Sequence, residues 1–131
     1  MKVRDINTTT LAFMGDAVYE VYVRKRVIGS GEPGADRLHH MAVRYVNASA
    51  QAGAIKAMLD DLSHEERSLV RRARNRRPAT KAKNADMMTY KWATAFEALV
   101  GYLYLVEDTD RMEEVIARAM REIDGEEKSK K

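Results

Sequence analysis

Two acids stand where a helical core would ordinarily exclude them. In TTTLAFMGDAVYEVYVRKR, Asp16 follows a glycine and lies among Leu11, Phe13, Met14, Val18 and Val21. In ATAFEALVGYLYL, Glu97 is the only acid, beside Phe96, Leu99 and Val100. A buried carboxylate is costly unless it is paired, hydrogen-bonded or bound to a metal. If the two helices pack together, Asp16 and Glu97 converge and can hold a hard divalent cation through oxygen ligands. Mg²⁺ is commonly held by one or two carboxylates, with waters and phosphates completing its octahedron. Such an ion lowers the pKa of its water and polarises a phosphoryl oxygen, which is the chemistry of phosphodiester hydrolysis. The other reading makes both acids structural, each salt-bridged to one of the chain's many arginines. Glu20, one turn beyond Asp16 on roughly the same face, is a further candidate, either for a bound water or for a base. Asp86 reads as a helix N-cap.

Phosphate chemistry calls for positive charge, and it is clustered. Residues 71–84, RRARNRRPATKAKN, carry Arg71, Arg72, Arg74, Arg76, Arg77, Lys81 and Lys83 and no acid, within a chain of net charge +3. That is the footprint of a polyanion binder, or else a solvated helix end followed by a loop. Lys91 is nearer Glu97 in sequence but about a third of a turn off its face, and joins the candidates. The adjacent His39 and His40 point about 100° apart on a helix, a poor chelating pair. One is expected to be partly packed and the other exposed. Ser49, Ser63 and Ser68 have no evident His–acid partnership, which argues against a serine nucleophile. The tyrosines and Trp92 read mostly as core or interface.

The elements that must position these groups are helices. Thr8 to Thr10 can cap a first helix through LAFMGDAVYEVYVRKRV, which GSGEPG ends. A second begins near Asp36, with Leu38, Met41, Ala42, Tyr45 and Val46 at helical spacing, and continues into NASAQAGAIKAML after a break at Asn47 to Ser49. Ser63 and Glu66 form a capping-box pattern opening a helix into RSLVRRARN. Pro78 places a loop at RRPAT. A long helix from about Asp86 is apolar nearly all round towards its end, as suits the middle of a bundle or a subunit contact. An amphipathic helix, DRMEEVIARAMREI, closes the pattern. No alternating strand pattern of useful length appears, so the expected class is all-α. At 131 residues, 45% hydrophobic and 33% charged, the chain has the size and composition of one globular domain. We place the domain at residues 1–124 and expect a disordered tail over 125–131. The absence of cysteine rules out disulfides, thiolate metal sites and a cysteine nucleophile. No apolar run is long enough to span a membrane, and MKVRDINTTT lacks the features of a signal peptide. The expectation is a cytoplasmic protein with no membrane partner.

Three ordered blocks carry a resemblance. LAFMGDAV resembles the ribonuclease III signature, and TAFEALVGYLYL resembles that family's second catalytic stretch. Together, MGDAVYEVYVR, LHHMAVRYVNASAQA and YKWATAFEALVGYLYL resemble the Mini-ribonuclease III branch, a catalytic domain without an attached double-stranded-RNA-binding domain. The resemblance implies an all-α helical bundle that forms a homodimer and hydrolyses double-stranded RNA with Mg²⁺, for which Mn²⁺ is a candidate substitute. Products would carry 5′-phosphate and 3′-hydroxyl ends. The implied substrate is precursor large-subunit (23S) ribosomal RNA, and a ribosomal protein helper is a further candidate partner. Asp16 and Glu97 match the metal-binding acids. Larger members have further acids four and seven residues before the Asp and an Asp three before the Glu, where this chain has Ala12, Thr9 and Thr94. Its acidic site is correspondingly sparser. Thr94 can orient a metal-bound water through its hydroxyl, or bond only to its own helix. The alternative to a nuclease is a non-catalytic helical RNA-binding or ribosome-assembly protein.

Overall fold

Side-chain caps decide where these helices begin. In the computed structural model, which describes residues 2–76 and 86–129, a short 3₁₀ turn (Val3–Asp5) precedes α1, Thr8–Ile28. The cap of α1 is Asn7, whose Oδ1 accepts the Thr10 N–H at 2.8 Å. The threonines expected in that role therefore form the first turn instead. One asparagine both ends α2 (Ala35–Val46) and opens α3 (Ala48–Met58). Asn47 Nδ2 donates to the Val43 carbonyl at 3.0 Å, and its Oδ1 accepts the Ala50 N–H at 2.9 Å. The expected break is thus a change of axis at a single extended residue. After a 3₁₀ turn at Leu59–Asp61, α4 (His64–Asn75) starts with both bonds of the capping box. Ser63 N–H donates to Glu66 Oε1 at 2.8 Å and Glu66 N–H to Ser63 Oγ at 3.0 Å. Helices α5 (Met87–Leu105) and α6 (Thr109–Ser129) complete the chain. Asp86 holds the N-cap position of α5 without a side-chain capping bond. No strand occurs among the described residues, and the class is all-α. Nor is any helix among them long and apolar enough to cross a membrane.

The helix expected in the middle lies there. α5 packs against α1, α3, α4 and α6, and Ala93, Ala95, Phe96, Ala98, Leu99, Val100, Gly101 and Leu103 are buried nearly all round it. Tyr19 of α1 meets Phe96 edge to face, with ring centroids 4.9 Å apart. α6 covers the other side with Met112, Val115, Ile116, Ala119, Met120 and Ile123. It runs past residue 124, the expected end of the domain, as far as Ser129. Polar ties hold it to α1 and α2: Tyr22 donates to Glu113 at 2.8 Å, Arg26 pairs with Asp124, and Tyr45 donates to Asp124 at 2.6 Å.

A buried ion pair locks α4 to α6. Arg111 Nε and Nη2 donate to the two carboxylate oxygens of Glu66 at 2.8 Å each, and Nη2 also reaches the Asp61 carbonyl at 3.1 Å. The guanidinium holds the Glu66 carboxyl below its ordinary range. Glu66 is only 8% exposed, so removing its partner strands a buried charge. Breaking a fully buried pair costs about 3–5 kcal/mol. Because Arg111 keeps some contact with solvent, Arg111→Met is expected to lose roughly 2–3 kcal/mol, measured by urea unfolding at pH 7. The double variant with Glu66→Gln should recover part of the loss.

Candidate active site

The site begins with two glycines. α1 and α5 cross in backbone contact: a Cβ at Gly15 would lie 1.7 Å from the Glu97 carbonyl oxygen, and one at Gly101 would lie 1.9 Å from that of Leu11. Only glycine fits at either position. The crossing places Asp16, next to Gly15, beside Glu97, whose own carbonyl is the atom Gly15 touches. Asp16 is exposed and Glu97 half-buried. Burial first, then the hydrogen bond and negative charge of Asp16, push the Glu97 carboxyl up to about 8. This raised value favours the protonated form of Glu97 near neutrality.

Among the described residues, no lysine or arginine forms an ion pair with either acid. The reading in which each acid is salt-bridged to an arginine thus finds no such arginine there. Nor do three or more His, Asp or Glu side chains gather into a metal-binding group among those residues. The donor set is two neighbouring carboxyl groups whose negative charge a cation would neutralise. That set fits Mg²⁺, which takes its remaining oxygen ligands from water and phosphate.

A third residue, which the sequence did not single out, completes the wall. Gln51 of α3 is 2% exposed and sits close enough to Glu97 to favour its charged form. Its Nε2 nonetheless makes no hydrogen bond of ordinary geometry among the described residues. We read this as an approach that stops short of a formed bond.

The other candidates are distributed around this centre. Glu20 pairs with Arg24 at 3.5 Å, taking the base-pairing alternative. Thr94 and Lys91 are half-buried on the turns of α5 before Glu97. Arg71, Arg72 and Arg76 are exposed at the end of α4. Arg74 stacks on Trp92, its guanidinium carbon 4.9 Å from the ring centroid, and Lys56 Nζ of α3 lies 5.6 Å from the same centroid. Lys56 thereby joins the basic face of α4, a partnership invisible in the linear run of charges. Arg77, Lys81 and Lys83 lie outside the described residues. His39 and His40 are both exposed, correcting the expectation that one would be packed. α2 turns both side chains away from the core, which it meets mainly through Ala42 and Tyr45.

A helical domain with paired acids at a glycine crossing matches one class. The Ribonuclease III domain model aligns with residues 9–108, and the chain is a ribonuclease III-type endoribonuclease. It is 42% identical over 122 residues to Mini-ribonuclease 3 of Streptococcus pneumoniae, covering 92% of this chain and 95% of that one. It is 44% identical over 126 residues to the Mini-ribonuclease 3 of Brevibacillus brevis, covering 94% of each. A crystal structure of a Fusobacterium nucleatum protein superposes with a TM-score of 0.79 at 30% identity, covering 91% of this chain and 95% of that one. The chain belongs to the Mini-ribonuclease 3 family.

Proposed function

We propose that the chain cleaves double-stranded RNA by cation-assisted hydrolysis at Asp16 and Glu97, with Mg²⁺, or Mn²⁺ in its place, as cofactor. The observation carrying this reading is the convergence of the two carboxylates, without an ion-pairing base among the described residues, at a crossing only glycine permits. Asp16 and Glu97 would hold the ion, which would supply an activated water and polarise the phosphoryl oxygen. Asp16, on the exposed side, is the acid that first meets solvent and substrate. Glu97 must release its proton for the pair to present two negative charges. No protein nucleophile is needed, and the products carry 5′-phosphate and 3′-hydroxyl ends. Glu20 stays on Arg24, and Thr94 is available to orient a water.

Arg71, Arg72, Arg74 and Arg76, with Lys56 and the further candidates Arg77, Lys81, Lys83 and Lys91, are proposed to track the phosphates. Trp92 supports this reading by holding Lys56 and Arg74 over one ring. We assign a homodimer to the exposed stripe of α1. Phe13 is 80% exposed and Val21 64%, and Phe13 lies within about 60° of Asp16 around the helix. A two-fold dimer would offer one site to each antiparallel strand. The mid-portion of α5, expected to share that contact, is buried within the protomer, which supports α1 as the main contact. The natural substrate is proposed to be precursor large-subunit ribosomal RNA, with a ribosomal protein as candidate helper.

A long RNA duplex incubated with the purified chain tests this. Cleavage in Mg²⁺ but not in EDTA, yielding 5′-phosphate ends and weakening steeply with added salt, is the expected result. Duplex that is bound but intact in Mg²⁺ and Mn²⁺ would return the non-catalytic alternative.

A further inference from the structure

We propose that Gln51 is a positioning residue of the catalytic site, donating from its side-chain Nε2 to Glu97 and fixing the rotation of that carboxylate relative to Asp16. The proposal rests on the reading of Asp16 and Glu97 as cation ligands. A carboxylate that binds an ion through one oxygen leaves the other to be held by the protein. With only two acids in the site and no third among the described residues to brace them, the orientation of Glu97 has few restraints of its own.

The geometry supplies one. Asn47 caps α3 through its side chain, and its carbonyl accepts the Gln51 N–H at 3.1 Å, so Gln51 stands one turn inside a fixed helix end. α3 packs on α5. Between them Gln51 is 2% exposed, with Ala52, Ala54 and Ile55 as buried neighbours on its helix. A buried amide donor without a partner is rare in native structures and calls for an explanation. Here Nε2 has none among the described residues, while the side chain reaches Glu97. An apolar side chain of similar length would fill the space without that penalty. A neutral donor also suits the task, because it orients a carboxylate without adding a positive charge that would repel the cation. Groups holding the orientation of a metal ligand are typically worth about 10- to 100-fold in metal affinity.

The test uses the full chain, Mn²⁺ alone as probe, and free Mn²⁺ read by electron paramagnetic resonance. Thermal unfolding in EDTA is recorded beside it. Gln51→Met is expected to unfold in EDTA at the parent temperature or above, yet bind Mn²⁺ about 10-fold more weakly. A Gln51→Met chain that unfolds early in EDTA marks Gln51 as a packing residue and overturns the proposal. So does unchanged Mn²⁺ affinity in Gln51→Met, provided Asp16→Asn weakens binding; the cation site then stands without Gln51. Mn²⁺ binding unchanged in Asp16→Asn as well would overturn the cation site together with the proposal.

Discussion

A Gly15→Ala chain is expected not to reach the native packing of α1 against α5. The added methyl would sit 1.7 Å from the Glu97 carbonyl oxygen, a backbone atom in the middle of a helix that cannot swing aside. Gly101→Ala meets the same obstacle, 1.9 Å from the Leu11 carbonyl oxygen. Relief requires the two helices to part, breaking core contacts along both. The loss should exceed about 4 kcal/mol, a range reserved for gross packing failure and comparable to the whole stability of many domains. Gly53→Ala is the control, since its methyl would meet only Glu126 Oε2, at 3.7 Å. In mid-helix α3 it should gain up to about 1 kcal/mol from helix propensity. Urea unfolding followed by circular dichroism reads all three. A Gly15→Ala chain with the parent midpoint would mean that the helices do not touch there.

Glu97→Gln should remove cleavage and yet stabilise the cation-free protein at pH 8. Glu97 has its folded-state pKa pushed up to about 8 from an ordinary 4.5. Over that interval the native chain binds a proton that the unfolded chain has released. The contribution of Glu97 is thus fully present below about pH 4.5 and is lost as the pH rises through 8. Each unit corresponds to about 1.4 kcal/mol; partial solvent access at Glu97 brings the expected loss to roughly 2–4 kcal/mol. Glutamine has no such proton, so the difference in stability between variant and parent should grow with pH in EDTA. Mg²⁺ should stabilise the parent and leave the variant nearly unmoved. Parallel pH profiles for the two proteins would refute this account of Glu97.

The two acids were legible because their neighbours are apolar. Each carboxylate stands out against apolar neighbours, but only Glu97 is partly buried. Asp16 lies exposed, as do Phe13 and Val21, so part of the apolar pattern around it marks a surface and not the core. The class was legible for the same reason, as 3.6-residue spacing recurs along the chain with no competing alternation. Gln51 was not, because a polar residue in NASAQAGAIKAML fits a solvent-facing turn equally well until α3 is laid on α5. Lys56 and Trp92 lie far from the arginine run in sequence, and only packing brings them to Arg74. Local chemistry misled in smaller ways. Asn7 and Thr8 are both good cappers, and the structure uses the asparagine. Gly125 argues for a helix end at a cost of about 1 kcal/mol, yet α6 continues through it to Ser129.

The most direct test of the central claim is a double-mutant cycle on cleavage of a long RNA duplex in Mg²⁺. Asp16→Asn, Glu97→Gln and the double variant would be compared after circular dichroism shows each one folded. If the two carboxylates form one cation site, either single change removes nearly all activity and the second adds little, because residues acting as a unit are strongly non-additive. Substantial cleavage by a folded single variant, or losses that simply multiply, would contradict a shared site.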